Sequence, residues 1–542
     1  MAVGCALFAV AAPAASPAHD SPIDAGEAIY MQGIVGSGAP LEGIRQGLST
    51  KGVQAACVSC HHRSGLGIKE GTTLIPPIAG PYLFHSRASS RDDADLPYVE
   101  SIRANRDPYT DMTLARAIRE GRNSVGQPLG YLMPRFALND ADMAALIGYL
   151  KHLDVRSAPG VTDKLLHFAT IITPDADPVK RRGMLDVMQH YFADKNTFPF
   201  PPSPAMHASG KGIYSKSMYM ANRHWQLHVW ELTGPPASWT AQLQRHLAQE
   251  PVMAVVSGLG GSNWKPVHEF CEHQKLPCLF PNVEVPVVAN QDFYSLYFSE
   301  GVLLEAALID KRLAEPSDGQ PVKMVRQIYR AGDSGAPAAQ ALAMALKSRG
   351  IDVQSHVLAA AAEGASVAEA VRSMSSADAA LVLWLRPADI ASLGEAPATT
   401  SAVFMSGLMG GLDRAPLPPS WRSRTRLAYP FDLPERSRVR VNLALEWFAI
   451  RHIPVVAEQV QLDTYLSCGL LAETVGHMAD AFMRDYLVER EEDMLEHRIM
   501  TGDYPRLTLA EGQRFASKGG FLVKFAGTDG DHLTADGDWV VP

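Results

Sequence analysis

The sequence of 542 residues has no long basic run, and it has no apolar run long enough to cross a bilayer. Lys and Arg total 49 against 58 Asp and Glu, which gives a formal net charge of −9. Nucleic-acid binding depends on clustered basic side chains that neutralise phosphates, so this charge balance argues against it. The long apolar N-terminal stretch, residues 2–15, is too short to span a membrane, and no transmembrane segment is expected.

Familiar catalytic signatures are also missing from the sequence. It has no nucleophile elbow of the hydrolase type, no Walker loop and no paired acidic motif. No catalytic residue is therefore assigned, and we expect a carrier or binding protein rather than an enzyme, with an oxidoreductase role left open. Hydrophobic residues make up 46% and charged residues 20%, a composition typical of folded globular domains.

Residues 1–20 have the features of a signal peptide. The apolar stretch at 2–15 matches the central region of such peptides, and the small residues from Ala12 to Ala18 suit cleavage. We therefore predict export to the periplasm of a bacterium.

Cysteine is scarce, with six residues, and two of them lie in one short motif. Cys57-Val58-Ser59-Cys60-His61 has the spacing of c-type haem attachment, in which two thiols add to the vinyl groups of one porphyrin and the next histidine binds the iron. A zinc site would need a second Cys/His pair at finger spacing, and a thioredoxin-like redox pair would need a strand–helix–strand context. The motif therefore predicts one covalent haem c, with Cys57, Cys60 and His61 as its attachment residues.

Two further cysteines, Cys271 and Cys278, flank a short segment. An exported protein meets an oxidising compartment, where a disulfide between them is permitted. We predict this disulfide, and the alternative is a pair of buried free thiols. Cys468 is expected to be a small buried apolar residue.

Residues 21–156 resemble a class I cytochrome c domain, because the pieces of that domain occur in the expected order. A Gly-rich loop separates the first helix from the haem motif. The pieces are a helix at 24–31, the Cys-x-x-Cys-His motif, a Pro-rich loop at Pro76-Pro77, a helix at 113–120, a Met133-Pro134 loop and a last helix at 140–153.

The resemblance to cytochrome c implies an all-α fold and a second axial iron ligand. That ligand is Met133 of the Met-Pro loop, because a thioether is a soft neutral ligand that favours ferrous iron. Met112 is the competing candidate. The family also uses a proline carbonyl to accept the ring N–H of the proximal histidine, and here Pro76 or Pro77 would hold His61 in this way.

After a linker at residues 157–164, buried strands alternate with helices. This alternation predicts α/β architecture with parallel sheets. The pattern restarts near residue 320, so we predict two lobes, at about 165–300 and 320–440, and a C-terminal segment at about 441–542. Strands are predicted at 165–172, 252–258, 322–329, 353–358, 379–385 and 402–405, and helices at 179–194, 302–312 and 337–348.

Residues 165–542 resemble the type I periplasmic ligand-binding fold of branched-chain amino acid and amide receptors. The likeness rests on the order of the units and on a Gly/Ser loop that follows the strand at 252–258. It implies a cleft between the lobes, in which the loop holds a carboxylate or another polar head group. The candidate ligand-binding residues, for which ordinary caps and turns are the alternative, are Asp175, Ser257, Gly260, Ser262, Asn263, Tyr294 and Asp333.

Two segments depart from the receptor pattern. Residues 197–239 are predicted to be a long insertion, which occludes the cleft or forms a docking face, and its His207, His224 and His228 lack a metal-binding spacing. The tail is predicted to be a hairpin that pairs residues 523–525 with residues 539–541.

Together the two resemblances imply a carrier of single electrons. The receptor-like domain would bind a small polar molecule, or it would dock a redox partner such as a periplasmic dehydrogenase or another cytochrome. The alternative is a periplasmic solute receptor in which the haem reports the redox state.

Overall fold

The structure, a computed structural model, describes most of the chain. The described residues are 22–70, 73–85, 106–197, 223–287, 289, 292–315, 322–360, 364–399, 402–478, 481–509, 512–526 and 532–542. The predicted signal peptide and His207 lie outside them. Within these residues, no helix combines the length and the apolar character that crossing a membrane requires.

The chain divides into two compact units. One consists of Met1–Ser157 and Ala479–Tyr486, and the other of Ala158–Met478 and Leu487–Pro542. The sequence analysis placed Ala479–Tyr486 in the second domain. Nothing local in an eight-residue segment indicates which of two domains it joins, because its assignment depends on contacts distant in sequence.

The described part of the first unit combines a helical core with short strands. The predicted all-α fold needs this correction, since the strands form the ladders β2-β1-β5 and β3-β4. Its elements are α1 (Pro22–Gln32), β1 (Glu42–Arg45), β2 (Leu48–Lys51), α2 (Val58–His61), β3 (Ile68–Glu70), β4 (Thr73–Ile75), α3 (Gly80–Phe84), α4 (Asp111–Glu120), β5 (Arg135–Phe136) and α5 (Asp140–His152).

The core of the first unit is organised by the crossing of α1 and α5. A Cβ on Gly26 would lie 2.2 Å from the carbonyl oxygen of Ala145, so only glycine allows the two backbones to approach this closely. Tyr30 and Tyr149 pack together, with ring centroids 5.2 Å apart. Apolar side chains of α1, α4 and α5 share one buried cluster.

A hairpin occupies part of the segment that the sequence predicted to be a Gly-rich loop. Its two turn residues, Gln46 (φ 50°) and Gly47 (φ 80°), both have left-handed backbone, as a type I′ turn requires. Strand β1 pairs antiparallel with β2 and with β5, and Gly43 lies opposite Phe136 in the second pairing.

The first lobe of the second unit contains a five-stranded parallel sheet with the order β10-β9-β8-β6-β7. Strand β6 occupies the predicted residues. His224 and His228 lie in edge strand β7, and Trp239 begins α7, so the second half of the predicted insertion belongs to the lobe itself. The elements are β6 (Leu165–Ile172), α6 (Pro178–Lys195), β7 (His224–Glu231), α7 (Trp239–Gln249), β8 (Ala254–Val256), α8 (Lys265–His273), β9 (Cys278–Leu279) and β10 (Ser295–Leu296).

The second lobe contains a seven-stranded sheet with the order β12-β11-β13-β14-β15-β16-β17. Strands β11 to β15 run parallel, and β16 and β17 are antiparallel additions at one edge. The elements are α9 (Val302–Ala314), β11 (Met324–Arg330), α10 (Gly335–Ser348), β12 (Asp352–Leu358), α11 (Gly364–Met374), β13 (Ala380–Trp384), α12 (Pro387–Ile390), β14 (Val403–Ser406), α13 (Gly407–Gly410), α14 (Pro419–Arg422), β15 (Thr425–Tyr429), β16 (Phe521–Ala526) and β17 (His532–Ala535).

The C-terminal segment adds three helices, and then it returns to the second lobe. They are α15 (Pro434–Ile450), α16 (Glu458–Met478) and α17 (Arg484–His497). The tail does form a hairpin, but the partner of β16 is β17, with Val523 opposite Ala535. Val540 contributes a single bridge to Gly520, so the predicted pairing of residues 539–541 was wrong. Strand β17 takes that place because it buries Leu533 against the sheet.

Candidate haem site and ligand cleft

The Cys-x-x-Cys-His motif forms one turn of helix. The backbone N–H of His61 donates to the carbonyl of Cys57 at 2.9 Å, and that of Cys60 donates to the same carbonyl at 3.2 Å. Residues at positions i, i+3 and i+4 of a helical turn share a face, so both thiols and the imidazole are directed to one side. His62 has φ 58°, which ends the turn directly after the motif.

The imidazole of His61 is buried and oriented. Its Nδ1 donates to the carbonyl oxygen of Pro76 at 3.2 Å, so Pro76 is the acceptor of the two proline alternatives. This bond leaves Nε2 as the nitrogen with a free lone pair. Burial lowers the pKa of His61 to about 4, an effect that the Pro76 carbonyl partly opposes. The ring is therefore neutral at physiological pH, as a metal ligand must be.

The first unit encloses a cavity of about 620 Å³ next to this helical turn. Cofactor pockets typically measure about 300–1,000 Å³ and have mostly apolar walls with a few polar groups. Cys57, Cys60 and His61 lie on its wall together with Met133. Much of the remaining wall is apolar, with Ile75, Pro77, Ile78, Leu83, Tyr109, Leu114, Ile118, Leu129, Phe136, Leu146 and Leu150.

The structure distinguishes between the two methionine candidates for the iron ligand. Met133 is half-buried on the cavity wall and packs against the core of the first unit. Met112 lies in the first turn of α4, is 80% exposed and does not line the cavity. Of the two, only Met133 shares the cavity with His61.

The residues of this cavity fit a c-type haem. The wall presents two thiols at the attachment spacing, a neutral imidazole and a thioether, and this donor set matches covalent attachment with His and Met ligation. Sequence reasoning did not identify Arg45 and Arg106, which also line the cavity. Guanidinium groups are suited to carboxylates such as the propionates of a haem.

In the second unit, the Gly/Ser loop donates a hydrogen bond to the carboxylate of Asp175, one of the predicted ligand residues. Asp175 accepts a hydrogen bond from the backbone N–H of Ser262 at 2.9 Å and another from the hydroxyl of Thr173 at 2.5 Å. The N–H of Gly261 donates to the Thr173 hydroxyl at 3.1 Å. Burial alone would raise the pKa of Asp175, but the donors of Thr173 and Ser262 outweigh it and lower that pKa. An internal anion thus occupies the place that the resemblance gives to a ligand.

Most of the other predicted ligand residues have internal partners. Ser257 is buried, and its hydroxyl lies 2.8 Å from that of Thr464. The Asn263 side chain accepts from the N–H of Lys265 at 3.2 Å, which is the role of a turn residue. The N–H of Gly260 donates to the carbonyl of Asn282 at 3.2 Å.

Tyr294 is buried, and its backbone is held by a carboxylate. Its N–H donates to Glu272 at 3.2 Å, and the N–H groups of Phe293 and Ser295 donate to the same side chain. The backbone around Tyr294 is thus held by a carboxylate within the first lobe.

Asp333 belongs to a charged network where the chain crosses between the lobes. Arg386 donates to both carboxylate oxygens of Glu284, at 2.8 and 2.6 Å, and to both of Asp333, at 3.0 and 2.5 Å. Lys180 lies 3.1 Å from Glu284. On either side of Glu284, Val283 packs on the core of the first lobe and Val285 on that of the second. We call Lys180, Glu284, Asp333 and Arg386 the interlobe ion network.

The interlobe ion network lowers the pKa of the Glu284 carboxyl group. Burial alone would raise the pKa of this carboxyl, but the hydrogen bonds from Arg386 and the charge of Lys180 lower it to about 2. The same carboxylates raise the pKa of Arg386. Glu284 and Arg386 therefore form a charged pair at neutral pH.

The predicted disulfide is not formed in the structure. No disulfide joins Cys271 and Cys278, and both side chains are fully buried. Each side chain belongs to the apolar core of the first lobe, where a thiol packs as a small hydrophobic group. The structure has the alternative arrangement, in which two buried thiols are not joined by a disulfide. Cys468 is free and buried as well.

Comparison with protein families identifies the first unit. Residues 50–154 match the family model described as Cytochrome c. The unit therefore contains a cytochrome c domain, and the family implies one covalently bound c-type haem. A comparison with curated proteins found no significant match.

Solved structures resemble the remaining part of the chain. A fatty acid ABC transporter substrate-binding protein from Thermomonospora curvata has 14% identity and a TM-score of 0.52, over 71% of this chain and 95% of its own. An ABC transporter substrate-binding protein from Sphaerobacter thermophilus has 11% identity and a TM-score of 0.51, over 70% and 98%. The leucine binding protein LivK from Thermotoga maritima has 12% identity and a TM-score of 0.50, over 70% of this chain and 99% of its own. These neighbours show the type I periplasmic binding protein fold, and at such identities they show the fold alone.

Proposed function

We propose that this protein is an exported electron carrier of the bacterial periplasm with one haem c. The observation that carries the proposal is the single cavity on which Cys57, Cys60, His61 and Met133 lie together. A c-type haem with His and Met ligation supplies one-electron transfer and leaves no open position on the iron.

The side chains around the cavity have distinct roles in this proposal. The two thiols anchor the cofactor covalently, and Pro76 keeps His61 in the tautomer that presents Nε2. Met133 would hold the iron through its thioether sulfur. The apolar wall limits the access of water, which stabilises the less charged, reduced state and raises the potential.

We propose that the receptor-like domain docks a redox partner, such as a periplasmic dehydrogenase or another cytochrome. Two observations support docking over the capture of a free anion. Asp175 already satisfies the donors of Thr173 and Ser262, and the interlobe ion network is neutralised internally. A solute receptor with a redox-reporting haem is the second candidate, which the fold of the neighbours favours.

The spectrum of the purified protein tests the electron-carrier proposal. After reduction with dithionite, we expect a low-spin ferrous spectrum and a pyridine haemochrome that accounts for one haem per chain. Material that matures in an oxidising compartment and yet contains no covalent haem would contradict the proposal.

Met133→Ala tests the sixth ligand. Loss of the thioether opens a coordination position, so the oxidised protein should become high-spin or bind water, and its reduction potential should fall. The exposed Met112 provides the control, since Met112→Ala should leave the spectrum and the potential unchanged. The ligand assignment would fail if the two variants behaved alike.

Asp175→Ala tests whether the internal carboxylate excludes small anions. The variant removes the acceptor of Thr173 and Ser262, but Asp175 and Ser262 are exposed, so water can replace it and the expected cost is about 0.5–1.5 kcal/mol of unfolding free energy. Acetate should bind the variant in calorimetry and restore part of its stability, whereas wild type and the exposed-site control Asp163→Ala should show no acetate effect. Acetate binding by wild type would instead favour the solute-receptor candidate.

A further inference from the structure

We infer that the hairpin formed by β1 and β2, residues 42–51, positions Met133 on the iron; this rests on the ligand role given to Met133 above. We refer to these residues as the hairpin clamp. Strand β5 begins at Arg135, two residues after Met133, and β1 is its antiparallel partner. The backbone that follows the ligand is therefore paired with the hairpin clamp.

Other contacts hold the methionine loop mainly at its start. The N–H of Leu129 donates to the carbonyl of Gly121 at 2.8 Å, and the N–H of Met133 donates to Gly130 within the loop at 3.1 Å. Tyr131 and Leu132 between them are exposed. Besides its own packing on the core, Met133 is positioned by the anchor at Leu129 and by the β1–β5 pairing that follows it.

Side-chain packing reinforces this pairing at Gly43. A Cβ on Gly43 would lie 2.8 Å from Cε1 of Phe136 and 3.2 Å from Cβ of Pro134. Phe136 is buried in the core of the first unit, so its ring cannot swing into solvent to make room. Gly43 has an ordinary backbone conformation, so a larger residue there disturbs the contact with β5 rather than the turn of the hairpin.

The hairpin clamp is itself tied to the rest of the domain. Leu41, which precedes it, is buried; its N–H donates to Gly33 at 2.6 Å, and its carbonyl accepts from Gly52 at 2.8 Å. Across the strands, the Ser49 hydroxyl donates to Glu42 at 2.8 Å. Arg45 and Thr50 of the same hairpin line the cavity. A hairpin that is bonded to its neighbours and forms part of the cavity wall is therefore in place to position Met133.

Gly43→Ala and Gly43→Val in the haem-containing protein test this inference. Imidazole competes with the methionine for oxidised iron, so displacement of β5 should increase the affinity for imidazole. We expect about a tenfold increase for alanine, the size of effect that overpacking by one methyl group produces, and a larger one for valine. The reduction potential should fall in the same order, and both haem thioether bonds should stay intact.

Gly148→Ala is the matched control, because a Cβ at this site in α5 meets nothing within 4 Å. It should leave imidazole affinity and potential at their wild-type values. If Gly43→Ala matched this control while Met133→Ala changed both quantities, the positioning role of the hairpin clamp would be refuted and the ligand assignment kept. If Met133→Ala also changed neither quantity, both claims would be refuted.

Discussion

Serine at both Cys57 and Cys60 will abolish covalent haem attachment. The two thiols lie on one helical turn at the edge of the cavity, and each is needed to form a thioether to a porphyrin vinyl group. After denaturing electrophoresis, wild-type protein should stain for haem and show the added mass of one cofactor. The double variant should show neither.

The buried cysteines of the first lobe supply the control for that experiment. Cys271→Ala with Cys278→Ala removes the same number of sulfurs from a site outside the haem cavity. This control should keep its covalent haem, although the shortened core side chains lower its stability. Haem that remained attached after the Cys57 and Cys60 substitutions would overturn the attachment assignment.

Arg386→Met will destabilise the second unit, because it leaves the carboxylates of Glu284 and Asp333 without their guanidinium partner. Glu284 and Asp333 both depend on this guanidinium, and removal of one partner from a fully buried pair costs about 3–5 kcal/mol. The Arg386 and Glu284 side chains are 32% and 20% exposed, so solvent screening reduces the expected loss to about 2–3 kcal/mol. Urea unfolding at neutral pH measures this loss. Arg414→Met, whose side chain is 68% exposed beside Glu458, should cost less than about 1 kcal/mol.

The loss of unfolding free energy caused by Arg386→Met should become smaller as the pH falls. The pKa of Glu284 falls from its ordinary 4.5 to about 2 in the folded protein, so folding favours the ionised carboxylate. Its contribution is complete above pH 4.5 and is lost as the pH falls towards 2. The difference in stability between wild type and variant should therefore shrink across this interval. A difference that stayed constant would show that Arg386 acts through packing rather than charge.

Local sequence patterns were sufficient to predict those structural features that residues close together in the sequence determine. The Cys-x-x-Cys-His spacing predicted the cytochrome c domain that the family comparison shows at residues 50–154. Strand β6 falls on the predicted residues because six of its eight residues are apolar, and a run of this length and composition is typical of a buried strand. The placement of Met133 in a loop directly before β5 also agrees with the Met-Pro pattern.

Features that depend on distant partners were missed. The turn at Gln46-Gly47 is a local hairpin signal, but the pairing of β1 with β5 joins Gly43 to Phe136, far along the chain. Likewise, an aspartate before a helix is usually a cap, and nothing near Asp175 shows that its carboxylate will meet Ser262.

The charged residues around Asp333 are a second case in which partners distant in sequence could not be predicted. Asp333 was predicted as a ligand residue because of its place at the start of the second lobe. Its partner Arg386 lies beyond two further strands, and Glu284 comes from the crossing between lobes. The sequence pointed to Asp333 alone of these three residues, and only the fold shows that Arg386 joins it to Glu284.

The order of strands in the second lobe has a consequence for biogenesis. Strand β15 ends at Tyr429, while its antiparallel neighbour β16 begins only at Phe521. Until the last part of the polypeptide has emerged, β15 presents unpaired backbone groups to solvent, which is a template for aggregation. A chain that stalls shortly before residue 521 would carry such an open edge, and it would be a natural substrate for chaperones and proteases.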